Sequence, residues 1–307
     1  MADAPAAGGV PAPHPARGPA RGPVRGPVRG PWHPATHLAL LHAAPAFTVI
    51  AIGLAFGVVA ARGRPDPTRL ALLAGLLATN QYAAGALNDA VDAADDAAAG
   101  RGKPIQAGSI SETAVRRLAV ASGIASLGFG LALSPATFGL AVTGLACAWS
   151  YDLWLKGTPA SVLPFAVALP VVPLFGYGAA GRFPGVLWWV WPVGFLGAVA
   201  VHLADALPDV ESDRSVGARG LVPRLGVRRA AWLAGAAYAG AAAIAAWSGL
   251  TAGDRGPVLA GTGVAVAVGL AAVVAGRGGP AARRRAYRLV LGGVVALAVG
   301  WAAGVRP

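Results

Sequence analysis

Apolar residues in this chain come in long blocks, not in the alternating pattern of a half-buried strand or the one-sided stripe of a surface helix. Nine blocks among the 307 residues approach the roughly 20 apolar positions that a helix needs to cross a bilayer. They lie near 36–61, 68–88, 112–133, 134–150, 158–180, 186–205, 229–250, 256–276 and 287–304. Short turns separate most of them. This predicts an all-α polytopic membrane bundle of about nine transmembrane helices, one domain spanning 34–307. The division between the third and fourth blocks rests on Ser134-Pro135 alone. Residues 1–33 read differently: ARGPARGPVRGPVRGP mixes Pro, Gly and Arg and cannot build a core. That stretch lacks the apolar run of a cleavable signal. It is expected to be a disordered cytoplasmic tail whose arginines touch anionic lipid.

Composition supports the membrane reading, with 56% hydrophobic and only 12% charged residues. A net charge of +12 could point to nucleic acid, but the basic residues lie between the blocks and no soluble domain carries them. Nucleic acid is therefore not an expected partner. With the amino terminus inside and nine spans following, 19 of the 25 Lys and Arg fall on the cytoplasmic side. The predicted topology has the amino terminus in, the carboxyl terminus out, and suits a bacterial inner membrane. The single cysteine, Cys147, excludes an intramolecular disulfide.

Two acidic clusters interrupt this apolar text. Asp89, Asp92 and Asp96 are spaced i, i+3, i+7 where the second block ends, which puts three carboxylates on one helical face. Asn88, Gly85 and Gln81 lie near that stripe, up to two turns deeper, and Asn88 and Gln81 join the binding candidates. Asp95 points elsewhere, toward solvent. Asp205, Asp209 and Asp213 are spaced i, i+4, i+8 where the sixth block emerges on the same side. Like charges so close together need a cation between them. Oxygen-only donors favour a hard divalent ion such as Mg²⁺, which shares its ligands readily with phosphate. Basic residues follow each cluster, Arg101 and Lys103 in one loop and Arg214 and Arg219 in the other, with glycines that let the loops fold over a bulky anion. The pattern points to a diphosphate bound at a membrane surface.

With its motifs read, the chain resembles the UbiA superfamily of intramembrane prenyltransferases. Asn88-Asp89-Ala90-Val91-Asp92 with Asp96 is similar to that family's first motif, and Lys103-Pro104-Ile105 to Gly108 resembles the loop that follows it. Asp205, Asp209 and Asp213 resemble the second motif, with Gly217, Pro223, Leu225 and Gly226 behind it. The resemblance implies an all-helical fold with a cavity open to lipid and to the cytoplasmic side. It implies that Asn88, Asp89, Asp92, Asp96, Asp205, Asp209 and Asp213 hold two Mg²⁺ ions against an allylic polyprenyl diphosphate. Arg101, Lys103 and Arg219 would bind its oxygens, and Tyr151 and Lys156 match a Tyr and Lys found after the family's fourth span. Asp89, Asp92, Tyr151 and Lys156 are thus the catalytic candidates. The implied activity is prenyl transfer to a lipophilic acceptor, aromatic or quinone-precursor in the favoured reading.

Two other activities stay open. A membrane terpene cyclase would ionise the same diphosphate and quench the cation within its own chain. A transporter would use the carboxylates as an ion site, but both clusters lie at one surface. Among lesser features, His37 and His42 are read as structural or interfacial, and His202, one turn before Asp205, as able to touch metal-bound water, orient an Asp or simply pack. Pro208 is expected to kink the second motif near Asp209. Asp152 is read as a solvated loop carboxylate, and Trp188, Trp189 and Trp191 as an interfacial belt.

Overall fold

The computed structural model describes residues 29–98, 100–183, 188–215, 220–252 and 254–304. The described residues form twelve α-helices and no strand. They are α1 Pro34–Leu40, α2 Ala43–Ala60, α3 Pro67–Val91, α4 Ala93–Ala98, α5 Glu112–Leu133, α6 Pro135–Ser150, α7 Val162–Ala179, α8 Val190–Ala206, α9 Val210–Ser215, α10 Leu221–Ala252, α11 Arg255–Ala275 and α12 Pro280–Gly304. Most of the tail expected at 1–33 lies outside the described residues. Its last part does not hang free: the Arg29 backbone N–H donates to Ser109 Oγ at 3.1 Å and the Thr36 hydroxyl donates to Gly30 O at 3.2 Å.

Among the described residues seven helices are long and apolar enough to cross a membrane, and α1 with α2, bent by 78°, supplies an eighth. The remaining predicted span is α6, whose 16 residues run into a five-residue π turn at Tyr151–Leu155. The predicted count of about nine is therefore approximate. The first block is not one straight helix, because His42 takes a left-handed backbone (φ 52°, ψ 59°) between α1 and α2.

Local chemistry sets the helix starts. Asp66 accepts from the Arg69 N–H ahead of Pro67, Ser111 from the Ala114 N–H, and Ser134 from the Thr137 N–H ahead of Pro135. Ser134-Pro135 is thus both the end of α5 and the cap of α6. Asp92 ends α3, so the first acidic face bends between Asp89 and Asp96. Pro208 has the predicted effect: α8 gives way to a 3₁₀ turn at Leu207–Asp209 before α9 begins.

Lipid offers no hydrophobic drive between helices, so close contact decides how they pack. A Cβ on Gly176 of α7 would lie 2.5 Å from the Gly57 nitrogen of α2, and one on Gly261 of α11 would lie 2.7 Å from Gly300 Cα of α12. Some of the few polar groups in the bundle find partners on a neighbouring helix or on their own. Asn80 Nδ2 donates to Ser126 Oγ at 3.2 Å, while Thr79 and Thr143 donate to carbonyls of their own helices.

Gly85 is where α3 meets the break after α1, since a Cβ there would lie 2.3 Å from Leu40 O. Gly85→Ala is expected to destabilise the protein by about 1–3 kcal/mol, the usual cost of overpacking. Gly128→Ala, where nothing lies within 4 Å, is the control. Thermal unfolding of the two variants in detergent checks this.

Candidate active site

The end of α3 is held by charge. Asp89 and Asp96 are 2% and 0% exposed, and Lys103 Nζ lies 2.8 Å from each. Arg101 reaches Asp96 from the same loop at 2.9 Å. Burial alone would raise the Asp96 pKa, but hydrogen bonds and charge from Lys103 and Arg101 bring it below the ordinary value. Burial likewise works against the Lys103 ammonium, and its bonds to Asp89 and Asp96 hold its pKa above the ordinary value. Asp95 is exposed, as expected.

Asp92 is paired by Lys156, which reaches back from beyond the π turn. The turn also brings in Asp152, which is 7% exposed and accepts from Asn88 Nδ2 at 2.8 Å. The expectation of a solvated Asp152 is corrected here, because the wider π turn rotates its side chain inward. Burial pushes its carboxyl up to about 6. Burial also drives the Tyr151 hydroxyl up to about 12, reinforced by the charges of Asp152, Asp205 and Asp92. Tyr151 is therefore close to both acidic segments. Its ring meets Phe165 edge-on at 4.8 Å and His202 edge-on at 6.4 Å. Gln81 is partly buried on α3, seven residues before Asn88.

The second segment is held from α12. Tyr287 hydrogen-bonds Asp205, Arg284 Nη2 lies 3.3 Å from Asp209, and Arg283 Nη1 lies 2.7 Å from Glu211. Asp209 thus turns toward α12, the displacement that Pro208 foreshadowed. The Asp213 side chain and all of Arg219 lie outside the described residues. His202 does not orient an aspartate; its Nε2 pairs with Ser161 Oγ at 3.1 Å and its ring lies 4.9 Å from Phe165. His42, read as structural, reaches the first motif directly, with Nε2 3.0 Å from Asp89 Oδ1. His37 bonds the Tyr82 hydroxyl at 2.6 Å.

The donors suit Mg²⁺ in kind. Asn88 spends its amide nitrogen on Asp152, which leaves its carbonyl oxygen for a cation, and the neighbouring donors are carboxylates. Among the described residues no three His, Cys, Asp or Glu side chains converge closely enough to hold an ion. Lys103 and Lys156, on flexible stems, sit among the carboxylates instead.

The sequence profile of the UbiA prenyltransferase family matches residues 47–303. This chain belongs to that family. Within the UbiA family, it is 30% identical over 173 residues to digeranylgeranylglyceryl phosphate synthase of Methanopyrus kandleri, covering 56% of this chain and 63% of the relative. It spans only 53% to 63% of the length of the curated relatives it matches. A UbiA homologue from Archaeoglobus fulgidus, solved with GPP and Mg²⁺, superposes with TM-score 0.68 at 18% identity, over 87% of this chain and 98% of that one. The apo UbiA homologue from Aeropyrum pernix K1 gives 0.67 at 19% identity, over 83% and 96%. At these identities the likeness establishes the UbiA fold.

Two predictions come from this geometry. Lys103→Met leaves two buried carboxylates without their shared cation and is expected to cost about 3 kcal/mol or more, read as a lower unfolding temperature in detergent. Asp152 concerns pH. Between its ordinary value and about 6 the folded chain holds a proton that the unfolded chain has released, so stability falls as pH rises through that window. Asp152→Asn keeps an oxygen to accept from Asn88 and carries no charge, so unfolding temperatures recorded from pH 4 to pH 8 should lose that fall.

Proposed function

We propose that this chain is a Mg²⁺-dependent intramembrane prenyltransferase that ionises an allylic polyprenyl diphosphate and passes the prenyl group to a lipophilic acceptor. The observation that carries the reading is the turn opened by Tyr151, which brings Asp152 onto Asn88 and Lys156 onto Asp92 while the Tyr151 ring meets His202, one turn before Asp205. Family membership and relatives named digeranylgeranylglyceryl phosphate synthase support it. So does the fold shared with a homologue solved with GPP and Mg²⁺.

Breaking the allylic C–O bond leaves a delocalised cation on the prenyl carbon and the electron pair on the diphosphate. Bound Mg²⁺, two ions in this reading, would be held by Asn88, Asp89, Asp92, Asp96, Asp205, Asp209 and Asp213 and would neutralise the leaving diphosphate. Lys103, Arg101 and Lys156 lie beside those carboxylates and can turn their N–H groups to the diphosphate oxygens, with Arg219 behind the second motif assigned the same task. The Tyr151 and Phe165 rings line the adjacent wall, where aromatic faces stabilise a cation and keep water from it. Lipid is the route for the prenyl tail. The reading places these segments on the cytoplasmic side of a bacterial inner membrane, with the amino terminus in and the carboxyl terminus out. An aromatic or quinone-precursor acceptor is the first reading. A prenylated glycerol phosphate is the second, favoured by the names of the curated relatives.

The test is incubation of the purified protein in detergent with Mg²⁺ and geranyl, farnesyl or geranylgeranyl diphosphate, without acceptor and with each acceptor class. Acceptor-dependent diphosphate release is expected, reduced roughly 100-fold or more in Asp92→Ala. A cyclic hydrocarbon made without acceptor would replace the transferase with a cyclase. Silence across all donors and acceptors would overturn diphosphate ionisation itself.

A further inference from the structure

α3 carries its carboxylates at one end and a second charged feature at the other. Arg69 and Asp89 are twenty residues apart on this helix, about 30 Å at 1.5 Å per residue. At the Arg69 end a cavity of about 200 Å³ opens between the α2–α3 connection and the end of α7, lined by Arg64, Asp66, Arg69, Leu70, Leu73 and Arg182.

The charge in this cavity does not cancel. Asp66 is its one carboxylate and is spent on the α3 cap, accepting from the Arg69 N–H at 2.9 Å. The Arg69 side chain is fixed from below, with Nε donating to Ala179 O and Nη2 to Leu133 O at 3.3 Å, so it ties the ends of α7 and α5 to the start of α3. Arg64 and Arg182 are exposed on two different connections. No carboxylate among the described residues pairs with either. Each follows a glycine in the left-handed region, Gly63 at φ 76° and Gly181 at φ 68°, the turns that bring both arginines to one rim.

Three guanidinium groups against one committed carboxylate select an anion. Their forked N–H groups match the oxygens of a phosphate better than they match a monovalent ion. Beneath that rim the floor is apolar, formed by the part-exposed Leu70 with the buried Leu73 behind it. A cationic rim over an apolar floor, at the level where spanning helices end, fits the phosphate of a lipid with its glycerol and the start of its chains against Leu70. We propose that this cavity is a phosphate-binding site at the end of the bundle opposite the acidic motifs, of the kind a phospholipid headgroup fills. It is independent of the proposed transferase activity.

The experiment measures binding to the full chain in detergent by native mass spectrometry and by unfolding temperature. The probes are phosphatidylglycerol, phosphatidylcholine and inorganic phosphate. Arg64→Gln with Arg182→Gln removes the rim and spares Arg69, whose side chain holds the fold. Arg228→Gln with Arg229→Gln removes the same charge elsewhere. Phosphatidylglycerol is expected to bind the unaltered chain and the charge control alike, and roughly tenfold more weakly to the rim variant. If inorganic phosphate shows the same arginine dependence, the site stands with a free anion as its ligand. Equal binding by the rim variant and the unaltered chain would overturn it, as would equal loss in the charge control or no binding to the unaltered chain. Should the double variant fail to fold, Arg64→Gln alone is read by the same criteria.

Discussion

Carboxylates at the end of an apolar bundle are costly unless cations meet them, and the motif end of this molecule is organised by that demand. Asp89 and Asp96 share Lys103, Asp92 takes Lys156, Asp209 takes Arg284 and Glu211 takes Arg283. The last three pairings each draw a distant segment to the acidic one, so neutralising charge also fixes the chain's course there. Elsewhere the helices meet through glycine, as at Gly57 with Gly176 and Gly261 with Gly300, where backbones touch because no side chain intervenes. Charge shapes one end and small residues shape the rest.

The apolar blocks and the caps were legible in the sequence because both are local. A run such as LALLAGLLA and a pair such as Ser134-Pro135 carry their consequence within one helical turn. The acidic motifs were legible for the same reason, and Pro208 correctly warned of a break before Asp209. Partners were not legible. Asp152 in WSYDLWLKG reads as a loop residue until the π turn rotates it onto Asn88. His42 reads as one of two unrelated histidines until its left-handed backbone sets it against Asp89. Nothing in the spacing around Asp205 reveals that Tyr287, more than eighty residues later, will bond it. Such contacts are made by the fold, and local pattern holds no record of them.

The pairings also explain why the two acidic segments differ. The first is neutralised at Asp89 and Asp96 by a loop only a few residues downstream, with Lys156 added at Asp92. The second relies on α12, whose Arg283, Arg284 and Tyr287 reach across to it. The first can settle early, while the second awaits a helix made much later.

That dependence has a consequence for biogenesis. α12 lies against α11 through Gly261 and Gly300, and the Asp254 N–H donates to Gly304 O at 2.7 Å, so the two form a closed hairpin. A nascent chain that has released α8 but not this hairpin carries Asp205 without Tyr287, and Asp209 and Glu211 without their arginines. During synthesis, the insertion of the last pair of helices is the event that completes the contacts of the second acidic segment.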